Sequence, residues 1–192
     1  VWAYRKRWDR RNMKILVPAA LLGILVGTFS FSYLNEAAVK LIIAMIAIIF
    51  TLDHWLRGRS ASTVPGSATI GKGTILGALA GFTSFVAHAG GPPVSVYLLP
   101  QRMDKSIFVG TTVMFFIVVN YVKLIPYAML GQFDASNLGT SLLFMPVALF
   151  GTWLGLWAHD KVSVTLFYRV CYSLLFLTGV KLLTDSILEF TA

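Results

Sequence analysis

Apolar residues run along this chain in long blocks rather than in the short alternating patches of a soluble domain. The blocks at 15–32, 38–56, 107–130, 138–158 and 163–184 are each long enough to cross a hydrocarbon core of about 30 Å, which needs roughly 20 helical residues. The pattern predicts five membrane-crossing helices, because a helix satisfies its own backbone in lipid. A sixth block, 73–99, is interrupted in its middle by "AHAGGPPV". Gly90 and Gly91 permit positive φ and close approach, while Pro92 and Pro93 suit the first turn of a new helix. One helix ends there and another begins. The second, from Pro92 to Pro100, reaches only about 12 Å at 1.5 Å per residue.

Between 57 and 72, "RGRSASTVPGSATIGK" is a polar linker with a Pro65-Gly66 turn signal. It divides the chain into residues 1–56 (two transmembrane helices ending a first repeat), the linker 57–72, and residues 73–192 (a broken helix hairpin plus three transmembrane helices). "PAALLGILVG" at 18–27 and "PVALFGTWLG" at 146–155 match in their proline, both glycines, and the Ala-Leu pair between them. Gly23/Gly27 and Gly151/Gly155 are GxxxG pairs, which let helices approach closely. Repetition of the whole frame implies duplication. At the same offset the broken block would have its twin before residue 1, so the chain is expected to lack about 60 leading residues.

The distribution of charge decides the topology. If 73–99 crossed once, Arg102 and Lys105 would lie outside and Asp134, Asp185 and Glu189 inside, against the positive-inside rule. If the block enters and returns on the cytoplasmic side, Arg102, Lys105 and Lys161 lie inside with the basic N-terminal cluster, and every loop agrees. The two copies of the repeated frame then run in opposite directions. The expected fold class is all-α: a polytopic membrane protein, with inverted repeats of transmembrane helices and a broken re-entrant helix pair.

Composition agrees, with 57% hydrophobic and 12% charged residues and a mean hydropathy of +0.76. The net charge of +8 has no soluble segment on which to form a nucleic-acid face, so no nucleic-acid partner is expected. The lipid bilayer is the expected partner, and a homo-oligomer is compatible with the pattern. Cys171 is the single cysteine, which leaves no internal disulfide and no thiolate cluster. It reads as a small packed hydrophobe. Asp53 and His54, beside Trp55 at a span's end, read as interface anchors. No signal-peptide cleavage pattern follows the basic start.

The break carries the candidate chemistry. Backbone groups freed at membrane depth cost several kcal/mol each unless they line a cavity or meet partners, and a substrate can be such a partner. The N-terminus of the second helix favours an anion. Candidate substrate-binding residues are Ser84, His88, Gly90 and Gly91 at the break, with Thr83 as a further donor. Asn120 and Lys123 on the 107–130 span complete the set, at i, i+3 and i+7 with Tyr127. Structural readings stand beside these: His88 bonding a freed carbonyl, Lys123 snorkelling outward, Asn120 joining helices, the Gly and Pro pairs forming only a kink. The three histidines lie in separate segments and no HExxH or GxSxG occurs, so no catalytic residue, metal or cofactor is expected. Ser84 with His88 is the one pair on which a membrane-embedded enzyme would rest. A non-transporting accessory subunit is a third reading.

"GALAGFTSFVAHAGGPPVSVYLLPQRMDKSIFVGTTVMFFIVVNYVKLIPYAMLGQF" resembles the second-half signature of the sulfite exporter TauE/SafE family, and the likeness extends over essentially the whole chain. The Gly-rich break before Pro92-Pro93, "LLPQRMDK", and the frame of Asn120, Lys123, Tyr127 and Gly131 carry it. The resemblance implies a multi-pass bacterial inner-membrane permease of two similar halves, exporting small sulfur-containing anions such as sulfite or organosulfonates. The family's first-half glycine-rich motif is absent here, as expected of a front-truncated chain. An inside-negative potential favours anion export by about 2.3 kcal/mol per charge per 100 mV. His88 would make transport sensitive to pH.

Overall fold

The computed structural model describes residues 6–33, 35–56, 67–130 and 135–191. Arg57, Arg59, the Pro65-Gly66 turn, Gly131 and Asp134 lie outside the described residues. Among the described residues the helices are α1 (Arg10–Ser30), α2 (Glu36–Leu56), α3 (Ile70–Val86), α4 (Gly91–Leu98), α5 (Lys105–Met129), α6 (Ala135–Lys161) and α7 (Val164–Thr191), with no strand. α1, α2, α5, α6 and α7 are long and apolar enough to cross a membrane, and they coincide with the five uninterrupted apolar blocks. α1, α2 and α5 start a few residues before their blocks, each behind a polar capping residue. Asp9 Oδ1 accepts from the Asn12 amide (2.7 Å), Asn35 Oδ1 from Ala37 (2.9 Å) and Asp104 Oδ1 from Ser106 (2.8 Å).

Glycine contacts set the relative directions of the helices. Gly73 faces Ile15, Gly77 faces Leu16 and Ala19, Gly81 faces Ala20, and Gly27 faces Phe85. The contact advances the same way along both helices, so α1 and α3 are parallel. α2 and α7 are antiparallel: His54 stacks on Tyr172 at 3.7 Å, Gly179 abuts Ala47, and Ser186 Oγ donates to the Ala37 carbonyl at 2.8 Å. His54 therefore packs rather than reacts.

The chain returns after α4 to the end from which α3 started. Asn12 and Gln101 exchange amide hydrogen bonds of 2.9 and 3.2 Å, and the Asp9 amide donates to Thr111 Oγ1 at 2.9 Å. Gln101 and the start of α5 thus lie level with the start of α1, and the α3–α4 pair is re-entrant. α4 runs on into a 3-10 turn, Leu99–Gln101, so the return limb spans about 18 Å rather than the 12 Å expected from Pro92–Pro100. From Gly73 to Val86, α3 rises about 20 Å. The break therefore sits about two-thirds of the way across a 30 Å core.

α6 reaches the same basic end with its C-terminus, where Lys105 Nζ donates to the Val162 carbonyl (2.7 Å) and Ser106 Oγ lies 3.1 Å from His159 Nε2. α1 runs away from this end and α6 towards it, so the two copies of the repeated frame run in opposite directions. Arg10, Arg11, Lys14, Arg102 and Lys105 mark this end, and Glu36, Asp185 and Glu189 the other. The positive-inside rule assigns this basic end to the cytoplasmic side.

The two GxxxG pairs fare differently. A Cβ on Gly23 would overlap the Ala78 carbonyl, and one on Gly81 the Ala20 backbone, so these helices touch through their main chains. Around Gly151 and Gly155 nothing lies within 4 Å. The expected close approach at that second pair is not made, because no helix among the described residues covers that face of α6. Gly81→Val should lower stability in detergent by about 3 kcal/mol or more, since backbone cannot yield to it. Gly151→Val should change it by less than about 0.5 kcal/mol. Thermal unfolding of the two variants side by side checks both.

Candidate functional site

Thr83 closes the helix break from within. Its carbonyl accepts from the amides of Ala87 (3.0 Å) and Ala89 (3.1 Å), and its hydroxyl donates to the Ala89 carbonyl (3.1 Å). The Thr83 hydroxyl is therefore occupied, and it does not act as the free donor that its position implied. His88 then turns the chain with φ of 50°, a left-handed conformation costing a non-glycine residue about 1–2 kcal/mol. Such outliers persist where the surroundings over-determine them, often at binding sites. Gly90 presses against α3: a Cβ there would lie 2.7 Å from the Ala80 carbonyl oxygen and 2.8 Å from Ser84 Cβ. Space beside Gly91 is open, with nothing within 4 Å.

α4 begins without a side-chain cap, and its second and third residues are Pro92 and Pro93. The prolines contribute no N–H, and the Val94 amide bonds to the Gly90 carbonyl at 3.5 Å. Among the described residues the amides of Gly90 and Gly91 meet no hydrogen-bond acceptor. The positive end of α4 is thus expressed through two glycine amides, Gly90 packed on α3 and Gly91 beside open space.

Lys123 of α5 comes to this break. It is 4% exposed, and its Nζ donates to the Ser84 carbonyl (3.0 Å) and to Ser84 Oγ (3.1 Å). It also lies 5.7 Å from the centre of the Tyr127 ring, whose hydroxyl donates to the Phe85 carbonyl at 2.8 Å. The carbonyls of Ser84 and Phe85, freed where α3 ends, are thus satisfied by α5. Lys123 does not snorkel to the outer surface, and no carboxylate among the described residues pairs with it. A cation held at this depth by neutral oxygens alone leaves positive charge facing the break.

The remaining candidates lie further out. His88 is exposed, with its ring 6.0 Å from that of Tyr127, and it makes no hydrogen bond to Ser84, whose hydroxyl oxygen accepts from Lys123. The Ser84–His88 pair of the enzymatic reading is therefore not assembled. Asn120 is also exposed, lining a neighbouring cavity of about 450 Å³ with Thr112, Phe116 and Tyr121. Three residues on a helix are 60° short of a full turn, so Lys123 faces α3 while Asn120 faces this cavity. Tyr127, four residues on, stays with Lys123. Phe116 was not legible as a site residue, yet it lines that cavity and lies beside Gly90, forming the wall between cavity and break. Only an aromatic one turn before Asn120 hinted at it.

The family model described as sulfite exporter TauE/SafE matches residues 1–182. The chain belongs to this family. TauE/SafE proteins are anion-exporting membrane permeases, and this member is a multi-pass membrane protein with five candidate spans among its described residues. No curated protein and no solved structure matches it. The buried Lys123, the glycine amides at the start of α4 and the re-entrant pair lie within the matched region of this TauE/SafE chain.

The Thr83 staple is separable from any substrate. Thr83→Val keeps the shape but strands the Ala89 carbonyl, and it should lower stability by about 1–2 kcal/mol. Denaturation in mild detergent, with Thr83→Ser as the variant that restores it, measures this.

Proposed function

We propose that this protein exports small sulfur-containing anions, sulfite or organosulfonates, across the bacterial inner membrane, with the substrate bound at the break between α3 and α4. The observation that carries this reading is Lys123: a buried cation bonded only to Ser84 at the point where the backbone is broken. An anion in the open space beside Gly91 meets that charge, the amides of Gly90 and Gly91, and the Ser84 hydroxyl. That hydroxyl accepts from Lys123 and keeps its own hydrogen to donate. His88 borders the site from its exposed side and tunes it with pH. Asn120 stands in the adjoining cavity, where it receives or releases substrate past Phe116 rather than holding it with Lys123.

The chain retains two repeats in this reading, residues 1–56 and 73–192, joined by the linker. Rocking one against the other alternates access to the break. The membrane potential drives the anion outward by about 2.3 kcal/mol per charge per 100 mV, and no coupling ion is needed.

Two variants test the site. Lys123→Ala should weaken sulfite binding by about tenfold or more, the equivalent of about 1.4 kcal/mol, while Lys123→Arg keeps most of it. Gly91→Ala meets no protein atom, so it should leave thermal stability unchanged and yet weaken binding. Binding is read on the purified protein, and flux as efflux from sulfite-loaded liposomes with and without an inside-negative potential. Unchanged affinity and flux in Lys123→Ala would return Lys123 to a structural role. Flux of a different sulfur or organic anion would retain the site and change the substrate.

A further inference from the structure

At the basic end of α1, Arg10, Arg11, Lys14 and Ile15 form one wall of a cavity of about 390 Å³, and Ile70, the first residue of α3, forms the other. The three cations are exposed, and no carboxylate among the described residues pairs with any of them. Arg10 lies 5.9 Å from the Trp8 ring centre, and Asp9 is committed to capping the Asn12 amide. Across the cavity, α3 starts without a side-chain cap among the described residues, and the Thr69 hydroxyl donates back to the Ser67 carbonyl at 3.2 Å. Uncapped first-turn amides and three unpaired cations therefore face one space, all of the same sign.

The surroundings of that cavity are apolar on the membrane side. Ile70 is 69% exposed, and Leu22, two turns beyond Ile15 on the same stripe of α1, is 61% exposed. Positive charge at the cytoplasmic interface, above lipid-facing aliphatic side chains of two adjoining helices, is the chemistry of an anionic headgroup with its acyl chain below. The geometry points to a bound anionic phospholipid of the inner leaflet. Its phosphodiester lies among Arg10, Arg11, Lys14 and the start of α3, and its tail lies over Ile70 and, further into the membrane, Leu22 on the Ile15 stripe of α1. The site is distinct from the helix break, about 20 Å deeper, and does not depend on which anion is transported. It joins the N-termini of α1 and α3, the two helices whose contact holds the break in place.

The test uses the full chain in nanodiscs of phosphatidylcholine, with and without phosphatidylglycerol or cardiolipin. Native mass spectrometry counts retained lipid, and thermal unfolding reports its effect. The wild type should retain anionic lipid and unfold at a higher temperature with it. Lys14→Gln should weaken retention by about fivefold. Ile70→Asp, which leaves every basic residue and hence the topology signal intact, should weaken it at least as much. Equal retention by both variants would overturn the proposal. So would full protection by millimolar inorganic phosphate in phosphatidylcholine alone, which would make this a soluble-anion site. If Lys14→Gln does not fold, Ile70→Asp and the lipid dependence of the wild type decide the matter.

Discussion

The parallel contact of α1 with α3 is the interaction from which the rest of the structure follows. Gly23 and Gly81 bring two backbones together with no side chain between, and Gly77 continues the seam. In lipid no hydrophobic force draws helices together, so close van der Waals packing of this kind must supply the attraction. α3 is held parallel to α1 from Gly73 to Phe85, and its end is therefore fixed in depth. The amide pair Asn12–Gln101 then ties the returning limb to the same helix. A hairpin that fails to cross the membrane becomes as well located as a helix that does.

A break in a membrane helix frees donors and acceptors, and this one disposes of them unequally. Thr83 collects the amides of Ala87 and Ala89 and gives its hydroxyl to the Ala89 carbonyl. Lys123 and Tyr127 cover the carbonyls of Ser84 and Phe85. The carbonyls of Thr83, Ser84, Phe85 and Ala89 have thus found protein donors, while among the described residues the amides of Gly90 and Gly91 have not found protein acceptors. The imbalance leaves positive potential at the break, from a lysine on one side and a helix N-terminus on the other. On the proposed reading, anion selectivity would arise from backbone accounting rather than from a cluster of basic side chains.

The repeated frames make an internal comparison. α1 and α6 share prolines and glycines at matching positions, yet among the described residues only α1 has a helix seated on its glycines. α6 touches its neighbours at the basic end through Lys105, Ser106 and His159. The same ten-residue pattern is thus a close-packed seam in one copy and an open face in the other. A GxxxG pair marks where a helix can approach, and a neighbour must still be present to do so.

The five spans and the re-entrant limb were legible in the sequence, because block length and the sidedness of Lys and Arg are local or summed properties. The break itself was equally plain in "AHAGGPPV", since glycine and proline act on their own backbone. Tertiary structure alone decided what the break is made of. Lys123 meets Ser84 across 39 residues, and helical periodicity says which residues share a face but not what covers that face. For the same reason Asn120 belongs to a neighbouring cavity, Gly151 and Gly155 stand open, and the Thr83 hydroxyl is closed upon its own loop. A chain states where its polar groups are, and only the packed fold states which of them remain unsatisfied.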